Sequence, residues 1–287
     1  MRVDTDRRNI VIMPWLARHG CEPSAGTERR GRISPRLVSR LPLPITPEFA
    51  SGSMDAMKIL PFELERRLRG LKFRLSRKLP DRHPSEVWRG VDTAAVLLRP
   101  FAGEFGNLQR YELMVVCAVA RHLGARRLFE FGTFDGLTTW HLAVNSGPDA
   151  HVSTLDLPLD HPARSSPRHD RSVGRIHRVS VGAQFAETAE ASRIEQLYGD
   201  SLEFDAEPYR RSIDLCFIDA SHEYTHVCRD TANALLMTRP GGVIFWHDYS
   251  RWWPGVQKCL DDLSEEQPVF RVRDTALAAL CVRHVEM

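Results

Sequence analysis

From about residue 105 onward, short apolar runs alternate with stretches in which apolar residues recur every three or four positions. This alternation predicts strands and amphipathic helices in turn. The predicted strands are 127–131, 151–156, 194–198, 213–218 and 242–247, with a closing pair near 269–273 and 277–283. The predicted helices are 108–123, one that ends near 145, and one between the fourth and fifth strands. Such an order indicates an α/β fold with a mostly parallel sheet and helices on both faces.

The front of the chain has a different character. Residues 1–53 contain nine Arg, no Lys and little periodicity, which predicts a disordered basic N-terminal segment. Residues 60–80 have helical spacing and a basic face, typical either of a membrane-surface or nucleic-acid helix or of a solvated helix packed on the main domain; we favour the second. We therefore expect a basic helical appendage over 54–104 and one α/β domain over 105–287. The polar insertion at 158–180 is a candidate lid or substrate loop.

Charge and cysteine content narrow the possible partners. Residues 1–100 carry 20 Lys and Arg against 11 Asp and Glu, whereas the rest of the chain carries 19 against 26. The acidic body would repel phosphate, so a nucleic-acid partner is not expected, while a homo-oligomer stays open. The six Cys show no CxxC pair, which favours free thiols in a reducing compartment. Because no apolar stretch reaches the length of a membrane span and no signal sequence is apparent, we expect a cytoplasmic protein.

The stretch "LFEFGTFDGLTTWHLA" (128–143) predicts a strand, a glycine turn and a helix. A dinucleotide site would need G-x-G-x-x-G, but the turn from Gly132 to Gly136 lacks the middle glycine. Glu130 and Asp135 would also repel a phosphate group. The turn therefore predicts a ligand that carries positive charge and hydroxyl groups.

Polar residues follow each of the next four predicted strands. A lone Asp after a strand is usually a helix cap, but polar residues at consecutive strand ends indicate a ligand site at the carboxyl edge of the sheet. A carboxylate after the second strand can accept hydrogen bonds from ribose hydroxyls, and one after the third can accept from an exocyclic amine. These residues are Asp156, Asp200, Asp219 and the pair His247–Asp248.

The motifs together resemble the class I S-adenosylmethionine-dependent methyltransferases, in the subgroup whose fifth strand ends in His-Asp-Tyr. They are "FEFGTFDG", "TLDLP", "GDS", "FIDASHEY" and "RPGGVIFWHDY", in order across residues 105–285. The resemblance implies a Rossmann-like seven-stranded sheet with an antiparallel last strand. It also implies S-adenosylmethionine as cofactor and O-methylation of a small-molecule hydroxyl, as on a sugar or natural product.

The resemblance also implies a role for each site residue. Glu130 and Gly132 would lie along the methionine part of the cofactor, and Gly136 would let the next helix pack closely. The other implied cofactor-binding residues are Asp156 for the ribose, Asp200 and Ser201 for the adenine side, Asn107 near the cofactor carboxylate, and Asp219.

Three residues are candidates for the chemistry itself: Asp219, His222 and Asp248. His222 is placed to be a general base, with Asp219 three residues before it. Asp219 and Asp248 are candidate ligands for Mg²⁺ or another divalent cation. His247, however, stands where metal-dependent relatives have an acidic residue, and imidazole is a poor ligand for magnesium. We favour a hydrogen-bonding role for His247, and the need for a metal stays open.

Two alternative functions remain. A hydroxylase-like oxygenase could use His222, His247 and Asp248 as iron ligands. A nucleic-acid or protein acceptor is the second alternative. Aromatic residues after the fifth strand would form either a substrate wall or a packed corner, and packing is the commoner role. They are Trp246, Tyr249, Trp252 and Trp253.

Overall fold

The structure is a computed structural model that describes residues 77–100, 106–161 and 180–283. The segment predicted to be disordered, 1–53, lies outside these residues, as do most of the predicted helix at 60–80 and most of the candidate lid. The strands are β1 (Asp81–Arg82), β2 (Arg127–Phe131), β3 (His151–Asp156), β4 (Ile194–Tyr198), β5 (Ile213–Ile218), β6 (Thr238–Trp246), β7 (Phe270–Val272) and β8 (Ala278–Cys281). The α-helices are α1 (Pro84–Val87), α2 (Arg110–His122), α3 (Leu137–Asn145), α4 (Tyr224–Met237) and α5 (Pro254–Leu263).

The eight strands form one sheet in the order β1-β7-β8-β6-β5-β2-β3-β4. Strands β2 to β6 pair in parallel, and β8 pairs antiparallel with both β6 and β7. This confirms the mostly parallel sheet with an antiparallel closing strand. The predicted count of seven strands is one too low, because Asp81–Arg82 adds a short parallel strand at the edge beside β7.

The sheet is covered on both faces by apolar helix surfaces. On one face, residues of β2 and β5 such as Leu128 and Phe217 join a core cluster with α2 and α3. On the other face, Trp246 donates from Nε1 to Thr231 Oγ1 of α4 at 2.9 Å. Helix α5, which the sequence pattern did not predict, packs beside α4.

Among the described residues, no helix combines the length and hydrophobicity that a membrane span requires.

Residues 77–100 pack against the sheet. Trp88 is buried, with its ring 5.6 Å from the ring of Phe245 and 5.7 Å from that of Phe270. Further along, Asn145 at the end of α3 accepts from Leu97 N–H and donates to the Leu97 carbonyl. The described part of the segment predicted as an appendage thus contributes a strand and core side chains to the sheet.

Candidate active site at the carboxyl edge of the sheet

The carboxyl ends of β2, β3, β5 and β6 lie level with one another. Backbone hydrogen bonds continue one residue beyond the strands, and they bring the residues that follow into line. The N–H groups of Asp219 and His247 donate to the last carbonyl groups of β2 and β5, at 2.8 and 3.0 Å, and Gly132 N–H donates to the next-to-last carbonyl group of β3 at 2.8 Å. The polar residues predicted at the strand ends therefore share one edge of the sheet.

The strand order reverses at β2. The chain runs outward through β3 and β4 and returns with β5 on the other side of β2. The two loops at this switch point touch, since a Cβ on Gly132 would lie 2.2 Å from the Asp219 carbonyl oxygen. Gly132 also has a φ of +95°. Ligands of open α/β sheets bind at such a switch point, so this is the expected place for a cofactor.

The glycine turn is held to β3 by Asp156. The Asp156 carboxylate accepts from the N–H of Phe134 at 2.8 Å and from that of Leu157 at 2.7 Å. Phe134 has a φ of +49°, which is rare for a residue with a side chain, and the hydrogen bond to Asp156 helps to hold it there. Each carboxylate oxygen can accept more than one hydrogen bond, so Asp156 can also accept from a ligand hydroxyl.

Gly136 begins α3 with a φ of +89°. A Cβ at this position would come within 2.6 Å of the Phe185 ring and 3.0 Å of the Gly182 Cα. The turn that contains these two residues is tied to the glycine turn, since Gly182 N–H donates to the Phe134 carbonyl at 3.0 Å. The close approach at Gly136 is therefore made by the 182–185 turn, whereas the resemblance implied closer packing of the next helix.

Asn107 lies at the same turn. Its Nδ2 donates to Asp135 Oδ2 at 2.9 Å, while Asp135 Oδ1 accepts from Leu137 N–H at 3.0 Å. Asp135 is buried and thus caps the start of α3. This contact places Asn107 beside the turn.

Glu130 is buried at the site, at 1% exposure. It accepts hydrogen bonds from the hydroxyls of Thr139 and Thr154. Despite these two hydrogen bonds, burial and the charges of the nearby Asp219 and Asp156 together raise the pKa of Glu130 to about 8. A cation bound nearby would favour the ionised form of this carboxyl group.

Asp200 and Ser201 follow β4. Asp200 Oδ1 accepts from Leu202 N–H at 2.9 Å. Ser201 lies beside Asp230, a fully buried carboxyl group of α4 to which sequence reasoning gave no role. Burial, together with the charge of the neighbouring Asp200, raises the pKa of Asp230 to about 7.

His222 and Asp248 form a close pair at the ends of β5 and β6. The His222 Nε2 lies 2.8 Å from Asp248 Oδ2. The His222 ring stacks on Trp253, with 3.8 Å between ring centroids and 15° between planes. Burial opposes ionisation of Asp248, but the hydrogen bond to His222 and the charge of His247 lower its pKa overall. Sequence reasoning expected Asp219 to be the partner of His222; the structure gives this role to Asp248.

His247 lies among three carboxylates. Its Nδ1 is 3.2 Å from Asp219 and 3.6 Å from Asp248 Oδ2, while its Nε2 is 3.3 Å from Glu112 Oε2. Burial disfavours the imidazolium form, but Asp219, Glu112 and Asp248 together raise the pKa of His247 well above its usual value. Glu112 was missed by sequence reasoning. Its only signal was its position three residues after Gln109, near the start of a predicted helix, which is typical of a helix cap.

Comparison with known proteins agrees with this geometry. Residues 129–249 match the family model described as a methyltransferase domain. The match supports the resemblance of the chain to the class I S-adenosylmethionine-dependent methyltransferases. The matched residues run from the glycine turn to the His-Asp-Tyr sequence at the end of β6, which are the parts of the chain that meet at the switch point.

Individual relatives are more distant. The chain is 32% identical over 108 residues to a catechol O-methyltransferase of Mycobacterium tuberculosis, an alignment that covers 38% of this chain and 42% of that protein. The match thus spans less than half of the relative's length. Among solved structures, it is similar to the O-methyltransferase TomG of Streptomyces achromogenes in complex with SAM, at 20% identity and a TM-score of 0.45, covering 77% of this chain and 100% of that one. An O-methyltransferase of Bacillus cereus in complex with SAH gives 19% identity and a TM-score of 0.42, covering 68% and 99%.

Tyr249 anchors the loop that carries Asp248. Its buried hydroxyl donates to Asp261 of α5 at 2.6 Å and accepts from Leu79 N–H at 3.4 Å. Asp248 itself has a φ of +61°, a conformation that Asp tolerates better than most residues. The buried ring of Trp246 likewise belongs to the core. Of the other aromatic residues, Trp253 stacks on His222, and Trp252 is 46% exposed.

Proposed function

We propose that the chain transfers the methyl group of S-adenosylmethionine to a hydroxyl group of a small molecule. The observation that carries this proposal is the contact between Gly132 and Asp219 at the switch point. It places the loop expected to hold the cofactor against the loop that leads to His222. The match of residues 129–249 to a methyltransferase domain and the likeness to a catechol O-methyltransferase support the same reaction and suggest a catechol as a first acceptor to test.

The turn and the neighbouring strand ends suit S-adenosylmethionine. When bound, this cofactor supplies a methyl group on a positively charged sulfonium. Asp156 would accept hydrogen bonds from the ribose hydroxyls, and Asp200 with Ser201 would meet the adenine side. Glu130 and Gly132 would line the methionine part, with Asn107 near its carboxylate. The carboxylates Glu130 and Asp219 favour a cation at this place.

His222 would remove the proton of the acceptor hydroxyl. With Nε2 donating to Asp248, Nδ1 carries the lone pair that takes the proton. Asp248 orients the ring and stabilises the imidazolium that results, and the stacked Trp253 limits rotation of the ring. Methyl transfer is an in-line displacement, so the remaining task of the chain is to align the hydroxyl oxygen with the methyl group.

A magnesium-dependent form of this reaction fits the residues poorly. Mg²⁺ is held by oxygen ligands, whereas the candidate cluster of described residues contains the imidazole of His247 beside Asp219 and Asp248. We therefore assign no step to magnesium. The oxygenase alternative needs two His and one carboxylate, and this cluster holds one His and two carboxylates, without His222.

Calorimetry with S-adenosylmethionine and its demethylated product tests cofactor binding. We expect a micromolar dissociation constant, on the order of −8 kcal/mol, and a strong loss of affinity in Asp156→Ala. Asp149→Ala is the matched control, since Asp149 is exposed and precedes β3 at the opposite edge of the sheet. Binding of NAD without any binding of S-adenosylmethionine would refute the proposal.

Product analysis tests the reaction itself. The purified chain is incubated with S-adenosylmethionine and a panel of catechols, sugars and phenolic natural products, and methylated products are detected by mass spectrometry. We expect methylation on oxygen for at least one class of acceptor. Turnover that instead requires ferrous iron and oxygen would favour the oxygenase alternative. Location in the cytoplasm, assembly into a homo-oligomer and the domain limits at 53 and 104 stay predictions.

A further inference from the structure

Two buried thiols face each other between α4 and α5. The Sγ atoms of Cys228 and Cys259 lie 3.0 Å apart, both thiols are free, and the two residues are 3% and 0% exposed. This separation is only about 1 Å longer than a disulfide bond, which measures about 2.05 Å. Because the two helices pack side by side, a small movement brings the sulfur atoms to bonding distance.

The two thiols differ in acidity. Contact with the Cys259 thiol is the main cause that lowers the pKa of Cys228 despite its burial, and the charge of Lys258 acts in the same direction. Burial, in contrast, raises the pKa of Cys259 well above its usual value. The thiolate is the form that attacks an oxidant, so Cys228 is the first of the two to react.

Oxidation of this pair needs only a small oxidant. We propose that Cys228 and Cys259 are a redox-active pair, which hydrogen peroxide converts to a disulfide that links α4 to α5. The Cys228 sulfur attacks one peroxide oxygen, the O–O bond breaks, and a sulfenic acid and water result. The Cys259 sulfur then attacks the sulfenic sulfur and expels hydroxide, which takes the Cys259 proton and leaves as water. The two thiols lose two electrons and two protons in total, which reduce one peroxide to two water molecules.

The disulfide would lie about one helical turn beyond the starts of both helices. α4 begins two residues after His222, and α5 follows directly after Trp253, whose ring stacks on His222. The starts of the helices touch, since a Cβ on Gly255 would lie 2.3 Å from the His222 carbonyl oxygen. A covalent link between α4 and α5 therefore fixes the elements that carry His222 and Trp253. The oxidation requires neither methyl donor nor acceptor and is independent of the proposed function.

Oxidation of the whole chain followed by peptide mapping tests the pair. Fully reduced protein is treated with hydrogen peroxide at low protein concentration, which disfavours links between chains. The remaining thiols are alkylated and the protein is digested with trypsin. We expect a link between the peptides 212–229 and 259–271 that dithiothreitol removes. Because peptide 212–229 also contains Cys216, tandem mass spectrometry is used to locate the link at Cys228.

The melting temperature gives a second measurement. It should rise by about 5–10 °C in the oxidised protein, because the link constrains the unfolded chain, and dithiothreitol should reverse the rise.

Three variants assign the order of reaction. In Cys259→Ala, Cys228 should form a sulfenic acid that dimedone traps, because no second thiol is present to resolve it. In Cys228→Ala, Cys259 should be trapped at least about tenfold more slowly, because much less of it is thiolate. Cys216→Ala is the matched control, since Cys216 is also buried and lies on the same tryptic peptide as Cys228. This control should form the link as the wild type does, and circular dichroism verifies that each variant is folded.

The outcomes separate the thiol pair from the proposed function. Absence of the Cys228–Cys259 link in the oxidised wild type, a link made through Cys216 instead, or an unchanged melting temperature would each overturn the pair. Equal trapping in Cys228→Ala and Cys259→Ala would overturn the assigned order of reaction. If a variant fails to fold, the map and the melting temperature of the wild type still decide. Methylation assays of the reduced protein bear on the proposed function alone, so failure of one proposal leaves the other intact.

Discussion

The imidazole of His222 and the carboxylate of Asp248 meet at 2.8 Å, although 26 residues separate them in the chain. The contact exists because β5 and β6 are neighbours in the sheet and end at the same level. Trp253, which precedes α5, then covers the His222 ring. Chain proximity alone would pair His222 with Asp219, three residues before it, whereas the structure pairs His222 with Asp248.

Replacement of His222 tests its role as the base. In His222→Ala, kcat should fall by about 10²–10⁴-fold, because the proton of the acceptor hydroxyl has no positioned group to receive it. Affinity for the demethylated cofactor should stay within about twofold, which calorimetry measures against the matched variant His151→Ala. Unchanged kcat in His222→Ala would show that another group, or the solvent, takes the proton.

Trp253 is a positioning residue in this scheme. Trp253→Phe keeps an aromatic face under the His222 ring and should retain most of kcat, whereas Trp253→Leu loses the stacking, worth about 0.5–1.5 kcal/mol, and should lower kcat by about 3–10-fold. The pH profile of kcat should shift in Trp253→Leu and stay in place in Trp253→Phe. Equal profiles in the two variants would mean that the ring only fills space.

Strand positions were predictable because buried parallel strands are short, continuous apolar runs. The limits predicted for β2, β3, β4 and β5 agree with the structure. β1 was not predicted because a strand of two residues is too short to show an alternating pattern. α5 was not predicted because the aromatic residues that precede it were considered only as a substrate wall or a packed corner.

The positions of Asp156 and Asp219 were predictable, because the end of a strand alone places a residue at the carboxyl edge of the sheet. It was not predictable where a side chain arrives from another element. Glu112 lies 135 residues before His247 in the chain, and the contact depends on how α2 packs across the end of β6. The local sequence pattern does not indicate contacts between residues that are so far apart in the chain.

Gly132 should not tolerate a side chain. In Gly132→Ala the added Cβ would lie 2.2 Å from a backbone oxygen of Asp219, at a φ of +95°. Neither backbone can move without breaking strand pairing, so we expect a loss of roughly 3 kcal/mol or more in the free energy of unfolding. Gly147→Ala is the control, because a Cβ there would meet nothing within 4 Å and its φ is ordinary. Denaturant unfolding that gives similar values for both variants would contradict this account of the switch point.

Glu130 should make the stability of the cofactor-free protein depend on pH. Its pKa is raised from 4.5 to about 8 in the folded state. Below pH 4.5 both states hold the proton. Between pH 4.5 and about 8 the unfolded state releases this proton and the folded state keeps it, so rising pH stabilises the unfolded state more than the folded state. The free energy of unfolding therefore falls as pH rises through this window. At neutral pH the difference is on the order of 2–3 kcal/mol.

Glu130→Gln removes this effect and so separates stability from binding. The variant should be more stable than the wild type at pH 7, by about 1–3 kcal/mol, and its unfolding free energy should vary less between pH 5 and 8. At the same time its affinity for S-adenosylmethionine should fall more than its affinity for the demethylated product, because only the former carries the sulfonium charge that an ionised Glu130 favours. Urea unfolding at several pH values and calorimetry with both ligands measure the two effects.

Equal loss of affinity for both ligands would place Glu130 away from the sulfonium. A variant less stable than the wild type at pH 7 would show that the hydrogen bonds from Thr139 and Thr154 outweigh the cost of burying the charge.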